Sequence, residues 1–85
     1  MRAAYLQELR QELVVGDFVP PRLSRGQVLV EVEYSGICRS QLMEISGSRG
    51  PDRWLPHLLG HEACGTVVEV SPGVRKVSPG DAVIL

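Results

Sequence analysis

Residues 58–70 read LLGHEACGTVVEV and place a histidine and a glutamate at the start of a valine-rich segment. The β-branched side chains of residues 65–70 favour a strand. Burying an imidazole or a carboxylate among apolar neighbours costs free energy unless each group has a partner. His61 and Glu62 are therefore either hydrogen-bonded core groups or parts of a site assembled for chemistry.

Other strands are predicted from alternating polarity and from the regular spacing of glycine and proline. Residues 27–35, QVLVEVEYS, place valines and Tyr34 on one side and two glutamates on the other. This alternation is typical of a half-buried strand. Three further strands, bounded by turn residues, are predicted at residues 2–6, 12–15 and 81–85.

One short helix is predicted over residues 39–45, with Gly47 placed to end it. The expected fold class is mainly β, a small β-barrel-like domain with one helix after Cys38. The last residues, GDAVIL, have the pattern of a strand just entered, and an unpaired apolar strand invites aggregation. We therefore expect residues 1–85 to be the front part of a longer protein or to need a partner.

Composition limits the classes of function. The 85 residues allow one small domain, and 9 Lys and Arg nearly balance 10 Asp and Glu without any basic run. This excludes the clustered basic face of a nucleic-acid-binding protein. No apolar segment reaches the roughly 20 residues of a membrane span, and MRAAYLQEL lacks the apolar core of a secretory signal. A soluble, cytoplasmic protein with two reduced cysteines is expected.

A cysteine and a histidine stand at the ends of two predicted strands. Cys38 follows the strand at 27–35, and His61 comes 23 residues later, at the entry to the strand at 65–70. Thiolate and imidazole are ligand types that zinc favours. Strand pairing could bring the two together, but a lone cysteine and a lone histidine at such a spacing are more often unconnected.

Two segments of the sequence favour a shared zinc site over two unrelated side chains. GICRSQ at 36–41 and GHEACGTVVEVSPGV at 60–74 resemble the N-terminal signatures of the zinc-dependent medium-chain dehydrogenase/reductase family, alcohol dehydrogenase type. The resemblance runs along nearly all of the chain, from the opening MRAAYL to VSPGDAV. It implies that residues 1–85 are the N-terminal portion of a GroES-like β-barrel catalytic domain. In that family a Rossmann domain that binds NAD or NADP follows, and it lies outside these residues.

The resemblance also implies the roles of individual residues. Cys38 would bind zinc as a thiolate, and His61 would bind it through an imidazole nitrogen. Glu62 would lie in or next to the coordination sphere. Ser40 would hydrogen-bond the substrate hydroxyl and begin a proton relay, because a hydroxyl both donates and accepts; its simpler role is a helix N-cap. The third protein ligand of the family lies further along its chains.

The implied function is a zinc- and NAD(P)-dependent alcohol or polyol dehydrogenase that acts on a small alcohol or carbonyl compound. Zinc lowers the pKa of a bound alcohol, and the nicotinamide accepts the hydride. The intact protein is expected to be a homo-oligomer. The 85 residues alone are expected to be inactive because they lack a Gly-rich βαβ fingerprint.

Two alternatives are a zinc-free quinone reductase relative and a stand-alone GroES-like binding or assembly module. The former usually lacks the cysteine and the histidine, so Cys38 and His61 argue against it. The latter would need no metal pair and, as a co-chaperonin, would show a mobile Gly-rich loop, which this sequence does not contain.

Several positions depart from the family pattern or have a simpler explanation. Gln41 stands where the family usually has an aspartate that accepts a hydrogen bond from a ligand histidine. Its amide oxygen can still accept a hydrogen bond, but it carries no charge. Ser71 replaces a Gly or Ala, and Cys64 is expected to be a small core side chain. His57 is expected to be a surface or hydrogen-bonded histidine rather than a ligand.

Overall fold

The computed structural model describes all residues, 1–85, and divides them into two compact units. The first unit contains Met1–Pro20 and Ile37–Gly60, and the second contains Pro21–Gly36 and His61–Leu85. The prediction of a mainly β chain with one short helix is confirmed. The elements in chain order are β1 (Arg2–Tyr5), β2 (Val14–Asp17), β3 (Val28–Ser35), α1 (Arg39–Ser46), β4 (Ala63–Val70) and β5 (Ala82–Ile84).

The first unit is built on a two-stranded antiparallel sheet. β1 pairs with β2, and the rings of Tyr5 and Phe18 pack edge to face with their centroids 5.2 Å apart. Leu6, directly after β1, is 0% exposed. Its backbone exchanges two hydrogen bonds with His57, at 2.9 and 2.8 Å. These bonds fasten the segment that precedes Gly60 to the end of β1.

Helix α1 also lies in the first unit and is closed by a glycine at its C-terminus. Gly47 adopts a left-handed conformation with φ of 76°, which confirms the predicted helix end. The N–H groups of Gly47 and Ser48 donate to the carbonyl oxygens of Glu44 and Met43, respectively. These two carbonyl groups in the last turn of α1 therefore have hydrogen-bond partners. With eight residues, α1 is far shorter than a helix that could cross a bilayer.

The second unit is a three-stranded antiparallel sheet in the order β3-β4-β5. Val67 on the central strand β4 is 2% exposed and forms the core of this unit. The buried Ser71 accepts a hydrogen bond from Gln27 N at 2.9 Å and donates one to Gln27 O at 2.8 Å. The serine hydroxyl therefore gives hydrogen-bond partners to the backbone N–H and C=O of Gln27, just before β3. Gly or Ala at this position has no side-chain group that could do so.

Close strand pairing in the second unit depends on a glycine. Gly65 on β4 lies opposite Val32, and a Cβ atom at position 65 would overlap the carbonyl oxygen of Glu31. Glycine at position 65 therefore permits the close approach of these two backbone segments.

The predicted burial of the apolar face of β3 is partly wrong. Tyr34 is 75% exposed and Val32 is also exposed, although the alternation of β3 placed both on the buried side. β3 is an edge strand, and its register with β4 shifts at two places, between Leu29 and Val30 and again beyond Val32. Such irregularities turn side chains away from the face that a regular strand would give them.

Candidate functional site

In the first unit, two of the predicted site residues meet at the start of α1. Cys38 is the N-cap residue, with an extended backbone, and its side chain is half-buried. The Sγ atom of Cys38 lies 2.8 Å from the Oγ atom of Ser40. Ser40 is therefore inside the first turn, and its simpler predicted role as the N-cap is wrong because Cys38 holds that position. The structure thus places a hydroxyl against the thiol that the sequence identified as a ligand.

Gln41 completes this group through the backbone of Cys38. The side-chain Oε1 atom of Gln41 accepts a hydrogen bond from the backbone N–H of Cys38 at 2.6 Å. The backbone N–H of Gln41 donates to the carbonyl oxygen of Cys38 at 3.3 Å. Cys38 and Gln41 form a capping box, in which the N-cap residue and the third helical residue satisfy each other. This role was not predicted, although a glutamine three residues after a potential N-cap is its signal.

In the second unit, His61 and Glu62 lie just before β4. His61 Nε2 is 3.6 Å from Glu62 Oε1, and both side chains are exposed. The carbonyl oxygen of Glu62 accepts hydrogen bonds from Gly36 N at 2.8 Å and from Ser35 Oγ at 3.3 Å. His61 and Glu62 are therefore not core groups, which removes one of the two explanations that the sequence allowed.

Gly36 makes room for the Glu62 side chain. A Cβ atom at position 36 would collide with the Glu62 carboxylate and lie 3.0 Å from Glu62 Cβ. The glycine of the GIC segment thus lets the carboxylate lie over the end of β3, beside the imidazole of His61. No role was predicted for Gly36, although its place in the GIC segment was the available signal.

A separate polar group surrounds His57 in the first unit. His57 Nδ1 lies 2.8 Å from Asp52 Oδ2 and 3.7 Å from Glu44 Oε2, so the prediction of a hydrogen-bonded histidine is confirmed. Asp52 Oδ1 also accepts a hydrogen bond from Trp54 N at 2.8 Å, an Asx turn. These residues line a cavity of about 370 Å³ together with Arg49 and neighbouring loop residues. Asp52 thereby organises the loop after α1.

The pKa of Asp52 makes part of the stability depend on pH. The Trp54 N–H and the His57 side chain hold the pKa of Asp52 below its ordinary value of 3.8. A carboxylate with a lowered pKa stabilises the fold above its unfolded-state pKa, and this contribution is lost as pH falls through the folded-state pKa. We expect Asp52→Asn to lower the melting temperature near neutral pH and to approach the wild type only as pH falls from 3.8 through the lower folded-state pKa of Asp52.

Thermal unfolding of both proteins across the acid range measures this difference. Asp17→Asn, which removes an exposed carboxylate at the end of β2, is the matched control. A difference between wild type and Asp52→Asn that stays constant down to the most acid pH would contradict the prediction.

Comparisons with known proteins agree with this architecture. Residues 24–85 match the family described as the alcohol dehydrogenase GroES-like domain. Over 73 residues the chain is 44% identical to the S-(hydroxymethyl)glutathione dehydrogenase of Photobacterium damsela subsp. piscicida, and the same values hold for that of Escherichia coli O1:K1. Each match covers 86% of this chain and 19% of the relative, so the chain spans a minor part of the curated relatives that it matches.

Solved structures share the fold. The alcohol dehydrogenase of the hyperthermophilic archaeon Aeropyrum pernix has a TM-score of 0.87 and 36% identity, covering 100% of this chain and 26% of that protein. An E. coli quinone oxidoreductase, solved in complex with NADPH, has a TM-score of 0.91 and 28% identity over 99% of this chain and 26% of that protein. The chain therefore belongs to the alcohol dehydrogenase GroES-like domain family, within the alcohol dehydrogenase type of medium-chain dehydrogenase/reductases.

Proposed function

We propose that these residues belong to the catalytic domain of a zinc- and NAD(P)-dependent alcohol or polyol dehydrogenase. In this proposal Cys38 and His61 bind the same zinc ion, and Glu62 lies next to it. The family match and the 44% identity to S-(hydroxymethyl)glutathione dehydrogenases support an oxidoreductase.

The hydrogen bond between Gly36 N and Glu62 O carries the proposal. Cys38 follows Gly36 by two residues, and His61 directly precedes Glu62. Covalent geometry then limits the distance between the Cα atoms of Cys38 and His61 to about 17 Å, whereas an extended segment of the same length would span about 75 Å. The sheet of the second unit thus tethers both ends of the loop that separates the two proposed ligands.

The donor set fits zinc. A cysteine sulfur and an imidazole nitrogen are common zinc ligands, and a carboxylate can join them. A bound zinc ion would supply Lewis acidity, which lowers the pKa of a substrate hydroxyl and polarises a carbonyl. Exposed side chains at positions 61 and 62 are accessible to a metal and a substrate, in contrast to core groups.

Ser40 is the proposed first member of the proton relay. Its Oγ atom lies against the Cys38 sulfur, so its position is fixed relative to the proposed ligand. One hydroxyl can accept the proton of a substrate alcohol through a lone pair while it donates its own proton onward. Ser40 would therefore hold the substrate oxygen and transfer its proton away from the site.

The remaining parts of the proposal concern the intact protein. A Rossmann domain outside these residues would bind NAD or NADP, and a third zinc ligand would also come from outside them. The substrate is a small alcohol or carbonyl compound. We further propose a cytoplasmic homo-oligomer without nucleic-acid or membrane partners.

Metal analysis and turnover of the intact protein test the proposal. We expect bound zinc that involves Cys38 and NAD(P)-dependent oxidation of alcohols. The quinone reductase alternative, which the TM-score of 0.91 favours, requires quinone reduction by a protein without zinc. A protein with neither zinc nor oxidoreductase activity would instead be a binding or assembly module. Either result would overturn the proposal.

A separate prediction concerns the zinc affinity and the activity of residues 1–85 alone. We expect them to bind zinc more weakly than nanomolar and to have no dehydrogenase activity, because two strong ligands leave the tetrahedral set incomplete. Competition titration of the purified chain with a chelator measures the affinity. Nanomolar binding that is abolished by Cys38→Ala would show that these residues already form a complete site.

A further inference from the structure

We propose that Gln41 is a positioning residue for the sulfur of Cys38. This inference rests on the proposed zinc site, because it assigns Gln41 the task of holding one of its ligands. The resemblance to the family gave this position a different expected partner, a ligand histidine. In the structure the amide oxygen of Gln41 is instead directed to the backbone of Cys38.

Two side chains hold Cys38 from different directions. Gln41 Oε1 accepts the backbone N–H of Cys38 at 2.6 Å, and Ser40 Oγ lies 2.8 Å from the sulfur. The backbone bond orients the Cα–Cβ vector of Cys38, and the hydroxyl then limits the rotation of the sulfur. All three residues are half-buried, so solvent competes little for these contacts. The sulfur is therefore preorganised by the first turn of α1.

Gly60 lies beside the amide group of Gln41. A Cβ atom at position 60 would lie 3.4 Å from Gln41 Nε2, and the φ angle of Gly60, 115°, is unfavourable for other residues. The backbone therefore takes a conformation that favours glycine directly beside the residue that orients Cys38.

The length of the Gln41 side chain and its lack of charge both suit it to hold Cys38. In a capping box, Glu or Gln has the reach to return to the N–H of the N-cap residue, and aspartate is one methylene shorter. Glutamine fulfils this task without a charge, so the site gains no additional negative group beside Cys38 and Glu62. Gln41→Glu keeps the acceptor, whereas Gln41→Leu and Gln41→Ala remove it.

Cobalt titration of the intact protein tests this inference, because a thiolate ligand gives Co²⁺ a sulfur charge-transfer band. We expect Gln41→Leu and Gln41→Ala to bind Co²⁺ about 10-fold more weakly, with a reduced band, as is typical when a group that orients a metal ligand is lost. Gln41→Glu should restore the affinity and the band. Circular dichroism and melting curves identify the fraction of each variant that is folded.

Gly47→Ala is the matched control for helix stability. It strains the C-terminus of α1, where φ is 76° and a Cβ atom would lie 3.3 Å from Leu9, and it leaves the Cys38 end unchanged. We expect it to lower the melting temperature without weakening Co²⁺ binding. Equal losses of affinity in Gly47→Ala and Gln41→Leu would overturn the inference, since the effect would then come from helix stability.

The same titration separates this inference from the proposed function. Cys38→Ala must lower the intensity of the charge-transfer band if Cys38 binds the metal. If Cys38→Ala lowers this intensity but Gln41→Leu binds Co²⁺ like the wild type, the positioning role is wrong and the zinc site stands. If Cys38→Ala retains the full intensity, both proposals are wrong.

Discussion

Replacing His61 by alanine in the intact protein should remove zinc and lower turnover by more than about 100-fold, since loss of a group that only supports a ligand already costs 10–100-fold. The imidazole is exposed beside Glu62, so its loss leaves no core cavity in the second unit. The expected effect is therefore on metal content and activity rather than on folding. Zinc analysis and steady-state turnover of the purified variant measure both.

His57→Ala is the matched control for the loss of a histidine. His57 precedes His61 by four residues, but its imidazole is paired with Asp52 and lies outside the proposed ligand set. This variant should keep its zinc, although the loop that Asp52 organises is weakened. Unchanged turnover and zinc content in His61→Ala would contradict the metal assignment.

Leu6→Ala should have the largest effect on stability. Leu6 is 0% exposed and follows β1 at the point where the chain bridges to His57. Truncating a buried leucine to alanine costs about 2–5 kcal/mol through lost burial and the cavity that remains. A domain of this size has a free energy of unfolding of only about 4–13 kcal/mol, so the variant is expected to be largely destabilised.

Urea unfolding of wild type and variant measures this loss. Val19→Ala is the control, because Val19 lies in the same unit and is 92% exposed. Its effect should stay within about 0.5 kcal/mol, as is usual for surface substitutions. A loss below about 1 kcal/mol in Leu6→Ala would show that the first unit is not organised around this side chain.

Much of the fold could be predicted from local patterns. β4 and the end of α1 at Gly47 follow from β-branched residues and from the left-handed conformation that glycine adopts easily. These features depend on a few neighbouring residues, so the sequence carries them directly.

The exposure of β3 could not be predicted in the same way. Alternation places Val32 and Tyr34 on one face, but whether that face is covered depends on strand register and on distant elements. The register shifts between β3 and β4 leave no signal in the sequence of β3 itself. Periodicity therefore identified the strand but not which side chains it buries.

The candidate site was likewise only partly predictable from the sequence. The GIC and GHE motifs identified Cys38 and His61, since chemistry restricts the residue types at those positions. The contacts of Gln41 and the pairing of Asp52 with His57 were missed, because they depend on side-chain rotamers and on a loop without regular structure. Short-range signals for both existed, a capping box and an Asx turn, but each has several possible partners.

X-ray absorption spectroscopy of the zinc-loaded intact protein tests most directly whether Cys38 and His61 bind one ion. We predict a sulfur ligand at about 2.3 Å and an imidazole nitrogen at about 2.0–2.1 Å. Cys38→Ala should remove one sulfur from the coordination sphere, and His61→Ala should remove one imidazole. A zinc environment that is the same in both variants as in the wild type would contradict the shared site.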